Sequence, residues 1–266
     1  MKVVRRTILG GKGLGRGIGH RLRGGMKTDR GRIKTYVRSL DDILGGGLPA
    51  GFVVLLNGAP GTMKSSFAFS ILYQNALREG RKSAYFTLEQ GKGLTLEHMA
   101  SLGMTDPAAN ANITTLDMGN IRKNLNYLQG RGTWLDLFKM YCTNAMKADS
   151  HTVLVVDSLD VLEAMAKMED PRSELYFLFE WLRSLGPLIL LISEKPLGSG
   201  TGMHAPEEAY LADGIITFEM QPTSDLFVQR RLRVVKMRST KHETGYYALS
   251  FDDGGFEITR AVTGPS

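Results

Sequence analysis

From about residue 35 onward, short apolar runs alternate with longer stretches in which apolar residues recur at helical spacing. The continuous apolar runs predict strands buried on both faces of a parallel sheet, at residues 52–57, 83–88, 152–156 and 188–192. The periodic stretches predict helices at residues 64–79, 97–102, 134–148 and 173–185, the first ending at a C-cap glycine, Gly80. A further strand is predicted at residues 113–116. This alternation is typical of an α/β fold with helices on both faces of a largely parallel sheet.

The last quarter of the chain has a different pattern. Short strands are predicted at residues 214–218, 231–237, 246–251 and 256–259, with a glycine-containing turn before the last of them. Short consecutive strands joined by turns pair antiparallel, so we expect an antiparallel extension at the C-terminal end of the sheet. The 266 residues are enough for one such domain with a large core and a short appendage.

Positive charge is concentrated at the N-terminus. Residues 1–34 contain 11 Lys or Arg and one acid, which gives this segment a net charge of +10. The rest of the chain has a net charge of −4, so the whole chain has a net charge of +6. Because this segment is also rich in glycine, we do not expect it to fold alone. We therefore expect a flexible basic arm at residues 1–33, one domain at 34–262 and a disordered tail at 263–266. The arm is either an electrostatic contact for nucleic acid or another anionic partner, or a solvated leader without a specific role.

The apolar runs argue against a membrane protein. The longest are far shorter than the roughly 18 residues that a membrane helix needs, and the N-terminal residues lack the apolar segment of a signal peptide. Cys142 is the only cysteine, so an internal disulfide is impossible, which fits a reducing compartment. We expect a cytoplasmic protein without membrane insertion.

The strongest chemical signal lies between the first predicted strand and the first predicted helix. Residues 58–65, which we call the phosphate loop, match the pattern G-x-x-x-x-G-K-[ST] except that Met63 stands where the pattern has glycine. In this pattern backbone N–H groups surround the phosphates of a nucleoside triphosphate, while a lysine (Lys64) reaches them and a hydroxyl (Ser65) binds Mg²⁺. A methionine at this position is strained if the backbone needs a positive φ. The candidate nucleotide-binding residues are Gly58, Ala59, Pro60, Gly61, Thr62, Met63, Lys64, Ser65, Ser66 and, on a later strand, Ser193.

Three polar residues follow other predicted strands. Asp157 ends an apolar strand, where a carboxylate holds Mg²⁺ beside a phosphate loop. Glu89 ends the strand after the first helix, at the edge where open α/β sheets bind ligands, and could orient or deprotonate an attacking water. Its alternative interpretation is a solvated loop acid. Ser193 could sense a terminal phosphate by hydrogen bonding, or only cap its own loop.

Taken together, these residues resemble the RecA/RadA superfamily of P-loop ATPases and, within it, the KaiC-like ATPases with a single KaiC domain, over residues 34–260. Residues 39–51 are similar to the entry segment of these proteins, and residues 86–90 are similar to their strand that bears paired acids. Here the second acid is replaced by Gln90, which leaves Glu89 as the catalytic candidate. The resemblance implies a RecA-like core, ATP and Mg²⁺ as cofactors, and a metal held by Ser65 and Asp157.

The resemblance also gives a role to a basic segment near the C-terminus. Residues 236–242 are similar to the KaiC segment that reaches the γ-phosphate of the neighbouring subunit. Lys236 and Arg238 would then act in trans, and the active site would form only in a homo-oligomer, with a hexameric ring as one arrangement. The residues alone allow a simpler interpretation, in which both side chains alternate outward on a strand. Residues 197–202 follow the Ser193 strand, and we expect them to couple the nucleotide state to a partner.

The resulting interpretation is a regulatory KaiC-like ATPase that hydrolyses ATP slowly at subunit interfaces and signals to its own oligomer or to an unidentified protein partner. Two alternatives stay open. Met63 and Gln90 favour a nucleotide-sensing module without turnover. The basic arm favours a RadA-like DNA recombination or repair protein, although no arginine lies in residues 197–202 to support a DNA contact there.

Overall fold

The computed structural model describes residues 31–124, 133–195, 197, 207–252 and 255–260. The basic arm up to residue 30, residues 198–202 of the glycine-rich segment and the C-terminal tail therefore lie outside the described residues. Arg32 and Ile33, which the sequence analysis assigns to the arm, form β1 (Arg32–Ile33) and pair antiparallel with β2 (Leu48–Pro49). The folded part of the described chain thus includes these two residues before position 34.

A nine-stranded sheet forms the centre of the described structure. Its strands are β3 (Val53–Gly58), β4 (Ser83–Thr87), β5 (Ile113–Asp117), β6 (Val153–Asp157), β7 (Leu188–Ser193), β8 (Gly214–Pro222), β9 (Val228–Met237), β10 (Tyr246–Asp252) and β11 (Gly255–Arg260). Their order across the sheet is β11-β10-β9-β8-β3-β7-β6-β4-β5. Strands β3 to β8 are parallel to one another, and β9 to β11 continue the sheet antiparallel. The predicted parallel sheet with an antiparallel extension is confirmed.

The helices are α1 (Leu40–Ile43), α2 (Lys64–Glu79), α3 (Lys92–Ser101), α4 (Pro107–Ala111), α5 (Met118–Asn124), α6 (Trp134–Ala148), α7 (Leu159–Ala166), α8 (Pro171–Ser184) and α9 (Glu207–Leu211). Helix α2 has the predicted bounds and ends at Gly80, whose φ of 62° and N–H bond to the Ala76 carbonyl close the last turn. Helix α3 starts five residues before the predicted position. None of these helices is long and apolar enough to cross a membrane, within the part of the chain that the structure describes.

Both faces of the sheet are covered, which explains why its central strands are apolar at most of their interior positions. Val54 and Leu56 of β3 belong to the core on the α2 face, whereas Val53 and Leu55 belong to the core beneath α6, α7 and α8. All four side chains are fully buried. A strand with two buried faces has no position left for a polar side chain until it ends.

The direction of the parallel strands decides where the polar residues lie. Strands β3, β4, β6 and β7 all end at one edge of the sheet, which we call the carboxyl edge, and all begin at the opposite, amino edge. Gly58, Glu89, Asp157 and Ser193 lie at or directly after these strand ends. The fold therefore brings them to the same edge, where open α/β sheets bind their ligands.

Candidate functional site

The phosphate loop is a tight turn between β3 and α2 in which two glycines are required. A Cβ atom at Gly58 would lie 2.2 Å from the Phe218 carbonyl oxygen of β8, so only glycine fits there. Gly61 has a φ of +81°, in the left-handed region that favours glycine. The Thr62 hydroxyl donates to the Ala59 carbonyl over 2.8 Å and closes the turn from inside.

Met63 takes the backbone conformation that the missing glycine would take. Its φ of 71° and ψ of 24° are left-handed, and it directly precedes the first residue of α2. A side chain in this conformation costs roughly 1–2 kcal/mol. The half-buried Met63 side chain packs against the core on the α2 face, which offsets part of this cost. The phosphate loop therefore forms with a methionine in its sixth position, although the sequence raised doubt about it.

We expect Met63→Gly to be more stable than Met63→Ala. Both substitutions remove the same packing, but only glycine accepts a φ of 71° without strain. In the middle of a helix or strand alanine is the more stable of the two by about 0.5–1 kcal/mol, so the expected order is reversed at this site. Urea unfolding of the two variants measures the difference, and a more stable Met63→Ala would contradict a left-handed Met63.

Lys64 places its ammonium group inside the loop. The side chain is 5% exposed, and Nζ donates to the Ala59 carbonyl over 3.0 Å and lies 3.4 Å from a Glu194 carboxylate oxygen. A carbonyl and a half-exposed carboxylate are weak partners for a buried ammonium group, which favours phosphate oxygens as its ligands. Lys64 thus has the position that a phosphate-binding lysine needs.

Asp157 and Ser65 lie close together beside Lys64. The Asp157 carboxylate accepts a hydrogen bond from the Tyr85 hydroxyl, and the hydroxyl of Ser65, the second residue of α2, lies close enough to affect its charge. Burial raises the pKa of Asp157, while the two neighbouring hydroxyl groups and the Lys64 charge oppose that shift. A neighbouring hydroxyl and carboxylate are hard oxygen donors of the kind that Mg²⁺ prefers, and nucleotide phosphates would complete its shell. The donor set therefore fits a Mg²⁺–nucleotide complex.

Glu89 lies at the same edge, one strand away from Asp157. Glu89 is exposed on the loop after β4, and its carboxylate accepts a hydrogen bond from the Ser158 hydroxyl. Partial burial of the carboxyl group raises the pKa of Glu89, and the nearby charges of Asp157, Glu194 and Asp160 raise it further, against the Ser158 hydrogen bond. Glu89 is thus a carboxyl group whose proton affinity exceeds that of an ordinary glutamate.

Two residues of this edge were missed by the sequence analysis. Asp160 of α7 lies 3.4 Å from the buried Ser193 hydroxyl and accepts the Glu194 N–H over 2.8 Å. Asp160 therefore fixes the end of β7, and Glu194 in turn approaches Lys64. The available signal was the sequence Ser158-Leu-Asp160, an N-cap serine with an acid in the first helical turn.

Lys236 and Arg238 are not brought to the phosphate loop of their own chain. Lys236 lies opposite Ile215 near the start of β8, and its Nζ donates to the Ala209 and Tyr210 carbonyls over 3.2 Å each. Arg238 follows β9 and donates to Asp213 over 2.9 Å. Burial and the charge of Arg238 lower the pKa of Lys236.

The strand register gives the distance along the sheet between the phosphate loop and these two cations. Gly58 is level with Phe218, whereas Gly214 is level with Val54 and pairs with Met237. The four residues between these levels span about 13 Å at 3.3 Å per residue. The two cations thus lie towards the amino edge, across β8 and β9 from the loop, and any contact with a bound phosphate would have to involve another copy of the chain.

Comparison with known proteins gives a consistent result. A family model described as "ATPase: KaiC" matches residues 33–262. A UPF0273 protein of Aeropyrum pernix is 31% identical over 238 residues, which cover 85% of this chain and 93% of that protein. The circadian clock protein KaiC2 of Synechocystis is 25% identical over 231 residues, covering 85% of this chain and 40% of that protein. The crystal structure of a KaiC-like protein from Pyrococcus horikoshii is similar with a TM-score of 0.70 and 25% identity, over 86% of this chain and 99% of that one.

Proposed function

Because the chain belongs to the KaiC family of ATPases, we propose that it binds ATP with Mg²⁺ at the phosphate loop and hydrolyses it slowly between copies of itself. The observation that carries the proposal is the position of Asp157, at the end of β6, close to the phosphate loop with its buried Lys64 and Ser65. This position brings the end of β6 to the loop in the arrangement that a Mg²⁺–triphosphate needs. The output would be regulatory, a change of conformation passed to the oligomer or to a protein partner.

Each residue at the carboxyl edge has a defined task in this proposal. Bound ATP with Mg²⁺ supplies an activated γ-phosphoryl group as the electrophile. Lys64 would bind phosphate oxygens, and Ser65 and Asp157 would hold the metal. Glu89, positioned by the Ser158 hydroxyl, orients a water and takes its proton at the carboxylate. Lys236 and Arg238 of a neighbouring copy neutralise the charge that develops on the transferred group.

We expect Glu89→Gln to bind ATP normally and to reduce phosphate release about 100-fold or more, because a general base contributes roughly 10²–10⁴-fold. Glutamine keeps the shape of the side chain and removes the proton acceptor. Calorimetry measures ATP binding, and a phosphate-release assay measures turnover. If wild type and Glu89→Gln both released phosphate only at the background rate, the proposed hydrolysis would be contradicted.

The pH dependence follows from the same carboxyl group. Glu89 acts as a base only when it is ionised, and its raised pKa means that it takes up a proton at a higher pH than an ordinary glutamate does. We therefore expect phosphate release to fall as the pH is lowered through this raised pKa. A rate that stays constant down to the pH range of an ordinary glutamate would contradict the role of Glu89.

A nucleotide-sensing module without turnover is the second candidate function. It is favoured by Gln90, which stands where related strands carry a second acid and whose backbone is tied to the Thr87 hydroxyl. Such a module would bind ATP and assemble with it but would release no phosphate. The comparison of wild type with Glu89→Gln separates the two functions.

A further inference from the structure

The β8–β9 hairpin ends in an exposed apolar tip. Leu226, Phe227 and Val228, which we call the hairpin tip, are 87%, 68% and 61% exposed. The turn is closed by the Thr223 N–H, which donates to the Phe227 carbonyl over 2.8 Å. The tip is therefore an ordered protrusion with neighbouring apolar side chains in water, which is uncommon unless another surface covers it.

The hairpin tip projects from the side of the molecule that carries the phosphate loop. Strand β8 is level with the end of β3 at Phe218 and continues for four further residues to Pro222. The hairpin passes directly beside the loop, where the Arg230 side chain approaches the Gly61 carbonyl at 3.5 Å. Whatever covers the hairpin tip is thus a neighbour of the phosphate loop.

A separate apolar depression of about 870 Å³ lies between α8 and α9. Tyr176, Phe177 and Tyr210 line it and are 50%, 63% and 60% exposed. We call these three residues the aromatic pocket. The aromatic pocket lies next to Lys236 and Arg238, because the Tyr210 carbonyl accepts hydrogen bonds from both side chains.

We propose that the hairpin tip of one copy inserts into the aromatic pocket of the next copy. This inference rests on the proposed function, in which the neighbour's Lys236 and Arg238 approach the phosphate loop. Such an approach brings the aromatic pocket, which adjoins the two cations, towards the hairpin tip, which adjoins the loop. A protrusion and a pocket on different parts of one chain form a heterologous contact, the kind that repeats around a ring.

The chemistry of the two surfaces is complementary. Both are apolar at the centre, and aromatic side chains in a pocket are typical of the residues that dominate binding energy. Asp225 precedes the hairpin tip, and Arg172 lies on the rim of the aromatic pocket with its side chain 81% exposed. Arg172 forms a long ion pair with Glu207 of its own chain, 3.6 Å from Nε, and its high exposure lets a carboxylate from another copy approach the rest of the guanidinium. Opposite charges at the edge of an apolar contact fix its register.

The test measures assembly of the full-length chain with Mg·ATP by sedimentation. We expect that Phe227→Asp and Phe177→Lys each weaken assembly. In each variant the protein concentration at which half of the molecules are assembled should rise about tenfold or more. The two changes in the same chain should restore part of the loss, since each charge then meets its opposite across the contact. Leu94→Asp changes a leucine of α3 that is 60% exposed and belongs to neither surface, and it should leave assembly unchanged. Calorimetry should give wild-type ATP binding for every variant.

Cross-linking tests the contact directly. A mixture of Phe227→Cys and Phe177→Cys chains should give a cross-linked dimer with a short bis-maleimide. Either variant alone should not, because the proposed contact joins position 227 of one copy to position 177 of the next and because Cys142 is buried. Wild-type assembly by Phe227→Asp, or weakened assembly without the cross-link, would overturn the contact and leave the proposed ATPase standing. A wild-type chain that stays monomeric with Mg·ATP would overturn both.

Discussion

Lys64→Ala is expected to weaken ATP binding about 100-fold or more, because removing one partner of a buried, hydrogen-bonded charge pair costs about 2–5 kcal/mol. The ammonium group is the buried positive charge within reach of Glu194 and Asp157. Without it, the phosphates would enter a loop bordered by two uncompensated carboxylates. Calorimetry with Mg·ATP measures the loss, and phosphate release should fall to background with it.

The matched control is Lys92→Ala. Lys92 is an exposed lysine at the start of α3, a few residues after Glu89 at the same carboxyl edge. Its removal changes the net charge by the same amount without touching the phosphate loop, so ATP binding should stay close to that of wild type. Unchanged binding in Lys64→Ala would mean that the loop holds no triphosphate, and the proposed function would have to be abandoned.

Local signals were sufficient for much of the fold. Helix α2 has the predicted bounds because both of its ends are set by neighbouring residues, the phosphate loop before it and the αL glycine Gly80 after it. The strands β3, β6 and β7 were predicted because burial on both faces leaves a continuous apolar run. These features depend on residues that are close together in the chain.

The rest of the site depends on which strands are neighbours. Asp160 reaches Ser193 and Glu194 only because β6 and β7 lie side by side, and a single sequence does not give the strand order. The hydrogen bond from the Tyr85 hydroxyl to Asp157 likewise joins two adjacent strands that are about 70 residues apart in the chain. The short α7, which holds Asp160, has too few turns for its periodicity to stand out.

Lys236 and Arg238 illustrate the same limit. The sequence placed them on a strand but could not say at which end of the sheet they lie. The pairing of Met237 with Gly214 puts them towards the amino edge, away from the phosphate loop of the same chain. The resemblance implies an action in trans, which stays a proposal that this strand register supports.

A chain with both Lys236→Ala and Arg238→Ala should bind ATP normally and release phosphate about 10³-fold more slowly, since a cation supplied in trans is worth 10³–10⁵-fold. The partners of both side chains, the Ala209 and Tyr210 carbonyls and Asp213, lie near the start of β8, and Asp213 keeps its ion pair with Arg183, so their loss should leave the phosphate loop intact. Binding and turnover are measured as for Lys64→Ala.

Mixing this double variant with Lys64→Ala decides between action in cis and in trans. Each is inactive alone, but one retains the phosphate loop and the other retains the cations. In randomly mixed rings about one quarter of the interfaces join an intact loop to intact cations, so about that fraction of wild-type turnover should return. If the cations acted within their own chain, no interface in the mixture would be complete, and phosphate release would stay at background. Recovery on mixing can arise only if the active site is shared between two copies.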